Sequence, residues 1–149
     1  MNYMPLTRAA EILLVEDNPS DVRLTVEAMR EGKVLSNLHV VGDGEEALDF
    51  LLTRGKHERA VRPDLILLDL NLPKMDGRQV LSEIKTRDDL ANIPVVVLST
   101  SSDEEDVARS YALHANCFIS KPMDLDEFIN VVQQIENFWL SIVTLPERN

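Results

Sequence analysis

Three carboxylates, three hydroxyls and one ammonium follow short apolar runs in this chain: Glu16-Asp17, Asp69, Ser99-Thr100 and Ser120-Lys121-Pro122. If the runs are neighbouring parallel strands, all of these groups meet at one end of a sheet, where open α/β folds bind their ligands. Carboxylates gathered there repel one another unless a proton or a cation neutralises them. Only oxygen ligands are on offer, so the fitting cation is Mg²⁺ rather than zinc. A lysine at the same mouth complements phosphate charge, and a serine hydroxyl donates to a phosphoryl oxygen. Together these groups describe a phosphoryl-transfer site with Asp69 as nucleophile. Taken singly each has a plainer role. Asp69 ahead of Asn71-Leu72-Pro73 could form a turn, Glu16 and Asp17 could cap a helix, and Lys121 could be a surface lysine. Their coincidence at the strand ends is what carries the reading.

The positioning elements follow from the apolar pattern. Ile12 to Val15, Leu65 to Leu68, Val95 to Leu98 and Cys117 to Ile119 are short continuous apolar runs, as strands buried on both faces read. Leu38 to Val41 is a weaker fifth strand, and Pro63 and Pro94 stand where a missing N–H is tolerated. Asn18-Pro19 opens a first helix with the stripe Val22, Val26 and Met29. Leu48, Leu51 and Leu52 mark a second helix, and Val80, Leu81 and Ile84 a third after Gly77. Ser102 to Glu105 is a capping-box pattern for a fourth, and Leu125 to Trp139 is a long last helix. Strand and helix thus alternate five times. That predicts a doubly wound α/β fold, a five-stranded parallel sheet with helices on both faces. One domain spans residues 1–149, with a core of about 11–139 and an extension at 140–149, and no output domain is expected.

Composition narrows the function classes. The net charge of −11 argues against nucleic acid or an anionic membrane as the main partner. A single cysteine, Cys117, excludes an internal disulfide, and no apolar run is long enough to span a bilayer. No basic-then-apolar leader precedes residue 10, so a cytoplasmic location is expected. His39, His57 and His114 are too scattered to suggest a metal site, and Cys117 reads as inert core. Lys74 and Arg78 beside Asp69 fit a partner contact or a solvated surface equally well.

The segments Leu14 to Asn18, Leu67 to Gly77, Pro94 to Ser99 and Ser120 to Pro122 resemble response-regulator receiver domains, from about Glu11 to Trp139. The resemblance implies the flavodoxin-like (βα)5 receiver fold and a stand-alone response regulator that takes a phosphoryl group from a sensor histidine kinase. It implies Asp69 as phosphoacceptor and a Mg²⁺ site made by Glu16, Asp17, Asp69 and the backbone carbonyl of Asn71. It further assigns Lys121 and Ser99 to the phosphoryl group, Ser99 and Phe118 to the conformational switch, and a cis peptide to Pro122. Many members carry threonine at the Ser99 position, and phenylalanine at 118 offers no hydroxyl to report the switch.

A closer likeness, in the loop before Pro63, in Leu113 to Cys117 and in Phe138 to Pro146, is to the regulators that partner bacterial and cyanobacterial phytochromes. The last helix has an apolar face wider than the sheet requires. Val131, Phe138 and Ile142 widen it, which suggests a homodimer interface, with burial under the tail as the rival. Two other functions share parts of this pattern. Aspartate-nucleophile phosphatases of the haloacid-dehalogenase-like kind place a second acid, the general acid, two residues after the nucleophile, where Asn71 stands. A receiver-like module that binds without being phosphorylated would be expected to have lost an acid, the aspartate or the lysine.

Overall fold

The computed structural model of the chain describes residues 9–31, 35–99, 107–108, 111–121 and 124–139. Five strands, β1 (Ala10–Val15), β2 (Ser36–Val41), β3 (Leu65–Leu68), β4 (Val95–Ser99) and β5 (Cys117–Ser120), pair in parallel in the order β2-β1-β3-β4-β5. Among the described residues the longer helices are α1 (Pro19–Glu31), α2 (Gly44–Leu51), α3 (Gly77–Thr86) and α4 (Leu125–Asn137), with a short 3-10 turn at Gly55–His57. Residues 107–108 and 111–112 are also helical, where the capping-box helix was expected, but its opening at 102–106 lies outside the described residues. This is the flavodoxin-like receiver architecture.

Alternate strand residues point to opposite faces, so a strand covered on both sides must be apolar throughout. Leu13, Val15, Ile66, Leu68 and Val97 pack against Phe50 of α2 and against Val80, Leu81 and Ile84 of α3. Their neighbours Ile12, Leu14, Leu65, Leu67 and Val96 pack the other way, against Ala28 and Met29 of α1 and Phe128, Val132 and Ile135 of α4. The edge strands β2 and β5 are only partly buried, and β2 is the strand whose sequence signal was the weaker one.

Side-chain caps set where the helices begin. Asn18 Oδ1 accepts the amides of Ser20 at 2.9 Å and Asp21 at 3.2 Å, leaving Pro19 at the first helical position, where no donor is needed. Asp43, Asp76 and Asp124 cap α2, α3 and α4 through the amides of Glu46, Arg78 and Glu127. At the start of α3, a Cβ on Gly77 would lie 2.5 Å from the carbonyl oxygen of Asp69, so only glycine lets this helix sit against the backbone that carries the aspartate.

Candidate functional site

The sheet order reverses between β1 and β3, with β2 on one side of β1 and β3 on the other. Crevices at such a switch point open beyond the carboxyl ends of the strands. Glu16 and Asp17 leave β1 there, Asp69 leaves β3, and Lys121 leaves β5. Three of these residues remain tied to the sheet by their backbone. Glu16 donates its amide to Val41 O at 3.0 Å, Asp69 to Val15 O at 3.0 Å, and Lys121 to Ser99 O at 2.7 Å. Side chains launched from so rigid a base need little ordering to converge.

They do converge. Carboxylate oxygens of Glu16, Asp17 and Asp69 lie within 4.8 Å of one another, with Glu16 and Asp69 buried and Asp17 exposed. The buried ammonium of Lys121 donates to Glu16, to Asp21 Oδ2 at 2.8 Å and to Asp69 Oδ2 at 3.3 Å. Burial pushes the Glu16 carboxyl up to about 7, and the charge of Asp69 adds to this against the hydrogen bond from Lys121. Burial alone would lower the Lys121 ammonium, yet hydrogen bonds to Asp21 and Glu16 and the charge of Asp69 carry it above its usual value. One cation shared among this many acids leaves the cluster short of positive charge. The donors are all oxygen, so the cluster fits a hard divalent cation held by Glu16, Asp17 and Asp69.

The other sequence-predicted residues fall around this centre. Ser99 ends β4, fully buried, and its carbonyl receives the Lys121 amide. Asn71 is exposed and donates its amide to Asp69 Oδ1 at 3.1 Å, which brings its backbone beside the aspartate. Phe118 is half-buried on β5, in register with Val97 and packed on the α2–α3 side. Val131 is half-buried against the opposite core, while Phe138 is 50% exposed and meets Trp139 edge-on at 5.6 Å. Pro122 and Ile142 lie outside the described residues.

Asp21 is the site residue that sequence reasoning missed. It sits in the first turn of α1, where an acid is ordinarily read as complementing the helix dipole. The available signal was the Asn18-Pro19 helix start, which aims that turn at the strand ends. Lys74 reaches across to Asp43 Oδ2 at 3.6 Å and Arg78 folds back on Asp76 at 3.2 Å. The histidines stay outside the acidic cluster. His39 and His57 flank Phe50, each paired with its own carboxylate.

The response regulator receiver domain family matches residues 12–133. The chain is 52% identical to the response regulator Rcp1 of Synechocystis sp. over 135 residues, which cover 91% of this chain and 92% of that protein. The crystal structure of the phosphorylated cyanobacterial phytochrome response regulator RcpA superimposes with a TM-score of 0.91 at 51% identity, covering 94% of this chain and 100% of that one. The Mn²⁺-bound form of Rcp1 does so with a TM-score of 0.89, also at 51% identity, over 93% and 99% of the two chains.

Proposed function

This chain belongs to the response regulator receiver domain family, and on that premise we propose that Asp69 is its phosphoacceptor, charged by the phosphohistidine of a sensor kinase. The observation that carries the reading is the meeting of Asp69, Glu16, Asp17 and Lys121 at the β1–β3 switch point. A carboxylate oxygen of Asp69 attacks phosphorus in line. The phosphorus–nitrogen bond to the donor imidazole breaks, its electron pair returns to the ring, and an acyl phosphate remains. A divalent cation, Mg²⁺ in this reading, would be held by Glu16, Asp17, Asp69 and the Asn71 carbonyl, and would supply positive charge against the incoming phosphoryl oxygens. Lys121 turns from the acids to the phosphoryl group, and Ser99 donates its hydroxyl to a phosphoryl oxygen. The chain acts as a signalling phosphoacceptor in the cytoplasm rather than as a turnover enzyme. No helix among the described residues is long and apolar enough to cross a membrane.

Similarity to the cyanobacterial phytochrome response regulator RcpA supports a phytochrome as the kinase. A second copy of this chain is the further partner, docked on a groove of about 520 Å³ between β5 and α4 that includes Ile119, Val131, Phe138 and Trp139. The apolar residues Leu140, Ile142 and Val143 follow Trp139 in the sequence. Light scattering at micromolar concentration should show a dimer that Phe138→Glu dissolves, and a wild-type monomer would dismiss it.

Phosphorylation itself is tested by intact mass after incubation with Mg²⁺ and acetyl phosphate. One added phosphoryl group is expected, absent in Asp69→Asn and absent without the metal. A folded wild-type protein that gains no phosphoryl group and binds no beryllofluoride would overturn the assignment.

A further inference from the structure

Phe118 carries no hydroxyl, but one reaches it from elsewhere. Tyr111 Oη accepts the Phe118 amide at 3.1 Å. Among the described residues strand β5 has a neighbouring strand on one side only, so every second amide points away from the sheet. Lys121, of the opposite parity to Phe118, donates its amide inward to Ser99 O. The Phe118 amide faces outward and takes its partner from outside the ladder. Water could satisfy a donor at an open edge just as well. Tyr111 is 49% exposed, so its ring gains little from burial. A side chain in that situation is held by its hydroxyl rather than by packing.

Its place in the chain gives the bond a consequence. Tyr111 lies in the connection between β4 and β5, the two strands that carry Ser99 and Lys121. Farther along, the His114 amide closes a turn on Tyr111 O at 2.9 Å, and Leu113 and Ala115 join the same core as Phe118. A pull on Ser99 acts at the β4 end of this connection, while the Tyr111 hydroxyl holds the described part before β5 to the edge of that strand. The two act on one segment and oppose each other.

We propose that the Tyr111 hydroxyl is a latch that holds the β4–β5 connection on the outer edge of β5 until Asp69 is phosphorylated, and that phosphorylation releases it and bares the Phe118 amide. The inference rests on Asp69 being the phosphoacceptor and adds how that site is read out. A single neutral hydrogen bond contributes little net free energy, which suits a contact that must open reversibly.

The test is amide hydrogen exchange by NMR on the full chain, wild type and Tyr111→Phe, with and without Mg²⁺ and beryllofluoride as the acyl-phosphate mimic. In wild type, beryllofluoride should speed exchange of the Phe118 amide about tenfold. Tyr111→Phe should show that faster rate already and gain nothing from beryllofluoride. It should also be phosphorylated by acetyl phosphate about threefold faster, because the latch no longer opposes the phosphorylated arrangement. Core amides such as Leu67 and Val96 report whether the variant is intact, and if they loosen, the wild-type comparison still decides. A Phe118 rate indifferent to beryllofluoride, while the Asp69 amide shifts, overturns the latch alone. A Phe118 rate equal in wild type and Tyr111→Phe does the same. No shift at Asp69 overturns the phosphoacceptor reading, and the latch with it.

Discussion

At the amino end of β1, Glu11 is nearly buried and each of its carboxylate oxygens has a donor, Asn37 Nδ2 at 2.8 Å and His39 Nε2 at 2.7 Å. Its amide donates to Asp64 Oδ2 at 2.8 Å, and the Asp64 amide returns a bond to Glu11 O at 2.7 Å. At the carboxyl end of the same strand, Glu16 is equally buried but shares the ammonium of Lys121 with Asp21 and Asp69. Both ends bury carboxylates. The amino end meets its acid with donors from the neighbouring strand, whereas the carboxyl end spreads one cation over several acids. The first arrangement is complete without a ligand. The second is left with surplus negative charge that an incoming cation can relieve, and in the proposed reaction its lysine changes partners when a phosphoryl group arrives.

Removing Lys121 should have the largest effect. Lys121→Met leaves Glu16 and Asp69 buried without their ammonium, a loss of about 3–5 kcal/mol in metal-free buffer. Urea melts should show that loss, and Mg²⁺ should recover part of it by taking over the neutralisation. If the loss were no larger than for the exposed Lys56→Met, or indifferent to Mg²⁺, the carboxyl end would not be held by charge in the way described.

Glu11→Ala should be milder and of a different kind. It strips the acceptor from Asn37 and His39 and should lower stability by about 1–3 kcal/mol. The loss should be the same with and without Mg²⁺, and Asp69 should be phosphorylated at the wild-type rate. A metal-dependent loss would mean that the two ends of β1 are not independent.

The carboxyl end was legible in the sequence and the amino end was not, for a physical reason. A strand buried on both faces announces itself as an apolar run, and the polar residues just after it are then located without any knowledge of pairing. That logic found Glu16, Asp69, Ser99 and Lys121. The Glu11 network depends on register: Glu11 sits opposite Asn37, and Leu13 opposite His39. A slip of one residue would turn those side chains to the other face. Leu38 to Val41 was the strand expected from the pattern, so Ser36 and Asn37, at the open edge of the sheet, carried no signal at all. Asp21 and Tyr111 stayed hidden for a related reason. Each acts through one atom on a residue far along the chain or across a turn, and neither periodicity nor composition records such a contact. Gly77 was legible as the break before a helix, but its close approach to the Asp69 carbonyl is visible only in three dimensions.

Glu46 separates the two variables in this comparison, because it is paired with an ammonium, that of Lys56, like the carboxyl end yet lies closer to solvent. Burial works against its charged form, but hydrogen bonds from Lys56 and His57 and from the Gly42 amide hold its carboxyl down at about 2. The distances are 2.9 Å to Lys56 Nζ, 2.9 Å to His57 Nε2 and 3.2 Å to the Gly42 amide. A carboxyl with a folded value below its unfolded one favours the folded state above the unfolded value. Its contribution should therefore be present above about pH 4.5 and fade as the pH falls toward about 2. Lys56 is fully exposed, so screening by solvent and salt should hold the effect to about 1 kcal/mol, the smallest of the three. Urea melts of wild type and Glu46→Gln between pH 6 and pH 3 should converge as the pH drops, and 0.5 M salt should narrow the gap at pH 6. Salt should leave the Lys121→Met deficit nearly unchanged by comparison, since a buried pair is screened far less. Equal salt sensitivity at the two sites would show that burial does not set the carboxyl end of the sheet apart.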